Sequence, residues 1–122
     1  MELPLKMVKG DSFRRKITFF DGTTRRVVDI SNWTLFFTVK RPEYLDKDDS
    51  VAEIRKTETI RAGQGTSGIW ILEILPADTT TVKDVQPGLY KYDVQYRRPD
   101  GTIKTVTVSD FEIAPQVTVR TT

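Results

Sequence analysis

The sequence predicts an all-β fold, an immunoglobulin-like antiparallel β-sandwich of about seven strands that forms a single domain over residues 1–122. Three observations predict it. Apolar and polar residues alternate with a period of two along most of the chain, and no 12-residue segment has the periodicity of an amphipathic helix. Turn-forming residues separate these segments at the short intervals typical of sandwiches. The length and the 38% hydrophobic content suit one core that needs no disulfide.

The strands follow one another between clear turn signals. They are predicted at residues 12–20, 33–40, a short stretch near 52–56, 69–75, 89–97 and 102–108, with a continuation at Phe111 and Ile113 after a bulge near Ser109-Asp110. The turn signals are Asp21-Gly22, Arg41-Pro42, Gly63–Gly68, Pro87-Gly88 and Pro99-Asp-Gly101. Residues 76–83 predict a single helical turn that Asp78 caps.

Alternation within the strands separates a core face from an outer face. The predicted core face carries Phe13, Ile17, Phe19, Leu35, Phe37, Val39, Trp70, Leu72, Ile74, Tyr90, Tyr92, Val94 and Tyr96. Tyr90 opens a late strand directly after the helical turn and Pro-Gly. Immunoglobulin-type sandwiches place a corner tyrosine at this point, and its hydroxyl binds the backbone a few residues upstream. Because the usual disulfide is missing, Trp33 and Trp70 are candidates to fill its space.

Composition excludes several classes of function. The chain has no cysteine and no histidine, which removes Ser-His-Asp and Cys-His nucleophiles and zinc sites built on thiolate or imidazole. We therefore expect no enzyme activity and no cofactor. The net charge of +2 comes from dispersed residues, so no basic stripe for nucleic acid emerges. No segment has the apolar length of a membrane span or of a signal peptide, so we expect neither a membrane partner nor export.

Two groups of acidic residues are candidates for a metal or catalytic site. The loop Asp46–Ser50 offers oxygen ligands for calcium, but an EF-hand loop that starts at Asp46 would need glycine and an acid where Val51 and Thr57 stand. An exposed loop is the better interpretation, and no metal site is predicted. Glu73 and Asp93 are carboxylates in mid-strand, and no motif pairs them for glycoside hydrolysis. Pairing with basic residues across the sheet accounts for them.

Apolar residues on the outer strand faces are the candidate partner interface. Phe20, Phe36, Ile69 and Ile71 each lie opposite a residue assigned to the core, and Val117 and Val119 lie in the C-terminal tail. Clustered exposed apolar residues usually mark a protein interface. The sequence therefore predicts contacts with other proteins through Phe20, Phe36, Ile69, Ile71, Val117 and Val119.

Motifs along nearly the whole chain resemble those of one protein family. They are Gly10-Asp-Ser-Phe13, the segment from Trp33 to Pro42, the segment from Leu72 to Thr79, and Pro87 to Gln95 followed by Asp100-Gly101. In their order and spacing they resemble small virion or tail-associated β-sandwich proteins of tailed bacteriophages. The chain is similar to the N-terminal domain of siphophage baseplate upper proteins.

The resemblance implies a non-enzymatic structural component of a tailed-phage particle, made in the host cytoplasm and located in the virion. Its expected partners are other virion proteins of the tail, baseplate or head–tail connector, together with copies of itself. In baseplate upper proteins a helical stalk and a receptor-binding or further attachment region follow this domain, whereas this sequence ends at Thr122. A connector, adaptor or decoration role is therefore expected. The alternative is a carbohydrate- or cell-surface-binding module, which a row of exposed aromatic side chains would favour.

Overall fold

A computed structural model describes residues 4–117. Within them lie seven strands: β1 (Leu5–Val8), β2 (Phe13–Thr18), β3 (Thr34–Lys40), β4 (Ile54–Thr59), β5 (Ile69–Ile74), β6 (Gly88–Arg97) and β7 (Ile103–Ala114). A short helix α1 (Pro76–Thr80) joins β5 to β6, and two 3₁₀ turns (Pro42–Tyr44 and Asp49–Val51) lie between β3 and β4. The fold is all-β, as the alternation of the sequence predicts.

The strands form two sheets of unequal size. The large sheet has the order β1-β7-β6-β3-β4, in which β1 pairs parallel to β7 and the other pairs are antiparallel. The small sheet contains only β2 and β5, paired antiparallel from Phe13–Ile74 to Thr18–Ile69. Together the sheets form a curled, open half-barrel with the small sheet packed on the concave face of the large one.

The core lies between the two sheets. In β3, Leu35, Phe37 and Val39 are fully buried, and the residues between them point to the outer face, so the predicted register of this strand is confirmed. The predicted inward face of β6 is confirmed as well, since Tyr90, Tyr92 and Val94 are buried and Tyr96 packs against the core. Apolar burial on one face of each strand is what fixes these registers.

An aromatic cluster occupies the centre of the core. The ring of Phe111 lies 5.8 Å from Phe13, 5.9 Å from Phe37 and 6.1 Å from Tyr92, in tilted or edge-to-face arrangements that aromatic pairs prefer. Trp33 and Trp70 are both buried. Trp33 stacks on Tyr96 at the end of the molecule where β3 begins, away from the Phe111 cluster. The central space between the sheets is therefore filled mainly by phenylalanine and tyrosine.

The structure differs from the sequence-based prediction at three places. β1 was not predicted, because its four residues are too short to show a period. The predicted short strand near 52–56 is β4, which begins two residues later and runs to Thr59. The bulge predicted near Ser109-Asp110 is wrong, because β7 pairs with β6 without a break there. The register shift lies at Val106, the extra residue between the partners of Val94 and Gln95.

The end of the molecule near α1 is held by specific hydrogen bonds. Asp78 accepts a hydrogen bond from the backbone N–H of Leu75, 2.7 Å away, and so caps α1 from its third position. The Lys56 ammonium lies 2.6 Å from the same carboxylate. The Tyr90 hydroxyl donates a hydrogen bond to the carbonyl oxygen of Gln86, four residues upstream. This is the contact predicted for a corner tyrosine.

Candidate functional site

The predicted interface residues lie on two opposite outer surfaces of the molecule. Phe36 lies on the outer face of the large sheet, where it pairs with Gln95 of β6. Ile69 and Ile71 lie on the outer face of the small sheet. Phe20 follows β2 at the end of the small sheet and is 62% exposed. The structure therefore brings Ile69 and Ile71 together but separates both of them from Phe36.

An apolar groove crosses the outer face of the large sheet, and we call it the outer groove. Its volume is about 340 Å³. The partly buried ring of Phe36 lines it together with Leu45, Ile103 and Val108, which are all substantially exposed. Leu45 comes from the loop after the first 3₁₀ turn, and Ile103 and Val108 come from β7. Three separate segments thus contribute apolar side chains, three aliphatic and one aromatic, to one concave surface.

Charged and polar groups surround the apolar part of the outer groove. Lys40, Lys91 and Asp93 line it, and Lys91 forms an ion pair with Asp110. The guanidinium of Arg97 lies 5.8 Å from the ring centre of Phe36, within the range of a cation–π contact. An apolar centre with a charged rim is the usual anatomy of a protein–protein interface.

Leu45, Ile103 and Val108 were missed by the sequence-based interpretation. For Val108 a signal existed, because it has the opposite strand parity to Phe111 and Ile113, which are buried. In an unbroken strand from Val108 to Ile113, the side chain of Val108 therefore lies on the face opposite to the buried residues, which is the outer face. The bulge that was wrongly expected at Ser109-Asp110 would have reversed this direction. Leu45 had no such signal, since it lies in the most polar loop of the chain.

The outer face of the small sheet combines apolar and basic side chains, and we call it the small-sheet face. Ile71 is 37% exposed and pairs with Lys16, and Glu73 pairs with Arg14 on the neighbouring strand. Ile69, which is partly buried, continues the apolar row. The exposed ring of Phe20 lies beyond it, in a single bridge to Val27.

The remaining predicted interface residues lie in the C-terminal tail. Val117 is almost fully exposed. Val119 lies outside the described residues.

The two groups of carboxylates form no common site in the structure. Glu73 lies on the small-sheet face and Asp93 lies on the outer face of the large sheet, so the two are on opposite sides of the molecule. In the loop at 46–50, hydrogen bonds from Ser50 hold the pKa of Asp48 below its ordinary value. Among the side chains that the structure describes, no three acidic groups gather closely enough to hold a metal ion.

The tyrosines of β6 are core residues. The ring of Tyr92 packs on Phe37 and Phe111, and that of Tyr96 stacks on Trp33. Burial, with a further contribution from the Glu53 carboxylate, raises the pKa of Tyr90 above its ordinary value. Glu53 is itself buried and pairs with Lys83 at 2.8 Å. These tyrosine rings are therefore not available to stack on a sugar.

Comparison with protein-family models gave no match for this chain, and comparison with curated proteins gave none either. No helix in the described part of the chain has the length and apolar character that a membrane crossing needs.

Proposed function

We propose that this protein is a non-enzymatic structural component of a tailed-phage particle that docks onto neighbouring virion proteins through the outer groove. The sequence motifs that resemble phage virion proteins support this proposal, and so does the form of the groove. Apolar burial at Phe36, Leu45, Ile103 and Val108 would provide the binding energy, and the charged rim would fix the orientation.

We further propose that the half-barrel is an immunoglobulin-like sandwich. The pair β2–β5 corresponds to strands B and E, strands β3, β6 and β7 correspond to C, F and G, and β4 corresponds to the additional C′ strand of variable-type domains. The Tyr90 hydroxyl bond to Gln86 supports this correspondence. In immunoglobulin domains the second cysteine follows the corner tyrosine by two residues, and Tyr92 stands at that position here.

The observation that carries the function is the chemistry of the exposed apolar side chains. Twelve large hydrophobic residues are exposed among the described residues, and only Phe20 and Tyr44 are aromatic. These two lie at opposite ends of the molecule, so they form no stacking platform. Carbohydrate modules depend on exposed aromatic rings, whereas aliphatic clusters suit another protein surface. The outer groove therefore favours protein docking over the carbohydrate-binding alternative.

The test is incorporation into particles by a variant with a charge in the outer groove. Ile103 is 61% exposed, so Ile103→Asp should fold normally and place a carboxylate where a partner would bury an apolar side chain. We expect the tagged wild-type chain to co-purify with tailed particles and the variant to be depleted at least about tenfold, which corresponds to about 1.4 kcal/mol of lost binding.

Val82→Asp is the matched control, because Val82 is exposed in the loop after α1 and away from the groove. It should be incorporated like the wild type. Incorporation of Ile103→Asp at the wild-type level would show that the groove is not the docking surface. Absence of the wild-type chain from the particles would overturn the proposed function itself.

A further inference from the structure

The free edge of β5 is the least protected sheet edge in the described part of the molecule. β5 pairs with β2 alone and has the sequence Ile-Trp-Ile-Leu-Glu-Ile. Its single charged residue is Glu73 near its end, and it contains no lysine, arginine or proline to blunt the edge. An edge of this kind presents unpaired backbone N–H and C=O groups beside apolar side chains, and so it is a template for another strand.

The other edges carry protection. β2 has Arg14, Arg15 and Lys16 in succession, and Arg15 stands in the inward register opposite Leu72 yet remains exposed. An inward-pointing charge is a known device against edge pairing. β1 has only four residues, and the part of β7 that extends past it carries Lys104 and the bulge at Val106. β4 carries Arg55 and Lys56, so it suits pairing only where a neighbouring strand places an acidic residue opposite Lys56. The contrast singles out β5.

Space for pairing exists beside β5. β4 follows the same side of the molecule, but no backbone hydrogen bond joins the two strands among the described residues, and over most of their length their Cα atoms lie more than 8 Å apart. Two adjoining grooves of about 320 and 450 Å³ follow this seam and share Glu58, Trp70 and Ile71. The indole N–H of Trp70 donates to Glu58 across the seam at 3.0 Å.

We propose that the partner of this edge is a second copy of the chain, paired antiparallel through β5 across a two-fold axis at Ile71. Such an interface is isologous, so each half supplies the same residues. Centring at Ile71 places the two Ile71 side chains together on the outer face and sets Ile69 against Glu73 of the other copy. No like charges then face each other. The two small sheets become one four-stranded sheet.

A contact between the β4 edges of the two large sheets is compatible with the same two-fold axis. Thr57 lines the seam together with Ile71, so an axis at Ile71 passes close to Thr57 as well. If β4 meets its own copy there, Lys56 lies opposite Glu58 of the second copy on the inward face, and the converse pair also forms. Opposite charges directly across an antiparallel pair are stabilising. This inference rests on the proposed assembly role and names a second copy as one of its partners.

Disulfide trapping tests the pairing directly, because the chain contains no cysteine. Directly opposed residues of an antiparallel pair have Cα atoms about 4.5–5.5 Å apart, within the range that a disulfide spans. Ile71→Cys should therefore form a covalent dimer on mild oxidation. At about 10 μM protein its rate should exceed that of the exposed loop control Val82→Cys on the order of a hundredfold, because the effective concentration within a formed pair is about 1 mM.

Two further variants fix the register. Ile69→Cys alone should not form a dimer, because its copies would lie about 13 Å apart along the strands. A mixture of Ile69→Cys and Glu73→Cys should cross-link, since these positions face each other. Slow cross-linking of folded Ile71→Cys together with no mixed product would overturn the proposal. A disulfide between Ile71→Cys of one copy and Val119→Cys of another would also overturn the proposal, because it would place the C-terminal tail of a second copy beside β5.

The two proposals fail separately. Ile103→Asp lies in the outer groove and should leave disulfide cross-linking of Ile71→Cys unchanged. Ile71→Lys should abolish the dimer, measured by sedimentation, without altering the outer groove.

Discussion

At the residue scale, Tyr90 joins three parts of the molecule. Its ring belongs to the core and its hydroxyl binds the carbonyl of Gln86. The buried carboxylate of Glu53, in the loop before β4, contributes to the raised pKa of the phenol. One hydroxyl therefore fixes where the chain turns from α1 into β6, which is the strand at the middle of the large sheet.

Removal of this hydroxyl should destabilise the protein. Tyr90→Phe keeps the ring but leaves the Gln86 carbonyl without its partner, so we expect a loss of roughly 1–2 kcal/mol in the free energy of unfolding. Urea denaturation would measure the loss. Tyr96→Phe is the control, because among the described residues the Tyr96 hydroxyl accepts a hydrogen bond from the exposed side chain of Arg98 alone, and it should change the midpoint little. Equal midpoints for Tyr90→Phe and the wild type would contradict the role assigned to the corner.

Tyr90 also shows what single residues of the sequence can predict. Its hydroxyl bond was expected from the Pro-Gly and helical turn that precede it, because that local sequence fixes the geometry. The filling of the central core was not predictable in the same way. It depends on Phe13, Phe37, Tyr92 and Phe111, which come from four strands and meet only in the folded sheets.

At the element scale, helix α1 links the two sheets. Asp78 accepts from the Leu75 N–H and pairs with Lys56 of β4, so one carboxylate ties the helix that follows the small sheet to the edge of the large sheet. Both side chains of the ion pair are largely buried. The sequence predicted the helix and the cap, but the partner on β4 lies 22 residues away and carries no local signal.

Asp78→Ala should lower the free energy of unfolding by about 1–2 kcal/mol, because it removes both the capping hydrogen bond to Leu75 and the ion pair with Lys56. Asp78→Asn keeps an oxygen acceptor for Leu75 and loses only the ion pair with Lys56, so its loss should be smaller than that of the alanine variant. Thermal denaturation of the two variants beside the wild type would show the difference. An alanine variant that melts with the wild type would contradict the capping role.

Strands differ in how far the sequence predicts them. Long strands with one buried face, such as β3 and β6, show their period and were predicted within one residue. β1 was missed because its position depends on parallel pairing with β7, at the far end of the chain. The sequence-based prediction placed the bulge near Ser109-Asp110 instead of at Val106, because the alternating Thr and Val residues around Val106 are compatible with either face of the sheet. Because of that error, the sequence analysis did not assign Val108 to the outer face of the large sheet, where it lines the outer groove.

At the scale of the whole molecule, acid should weaken the fold through several exposed carboxylates. Backbone or side-chain hydrogen bonds from Thr24, Ser31 and Thr102 hold the pKa values of Asp21, Asp29 and Asp100 below the ordinary 3.8. A carboxyl whose pKa is lowered in the folded state stabilises that state above its unfolded pKa. This contribution is lost as the pH falls through 3.8 towards the folded values.

The triple variant Asp21→Asn, Asp29→Asn and Asp100→Asn should therefore show a weaker loss of stability in acid. Asparagine keeps the oxygen that accepts each hydrogen bond but does not titrate. Urea midpoints measured between about pH 6 and pH 3 should fall less steeply for the variant than for the wild type. Parallel curves would mean that other carboxylates govern the acid transition.

The outer groove and the β5 edge lie on different sides of the molecule, so one copy has room to contact two neighbours. This arrangement is what a repeated part of a larger assembly requires. The most direct test of the central proposal is a density map, at side-chain resolution, of purified tailed particles whose genome encodes this chain. We expect the half-barrel to be present in several copies, with Ile103 and Val108 buried against another virion protein. A map in which every virion density is assigned to other proteins would contradict the account.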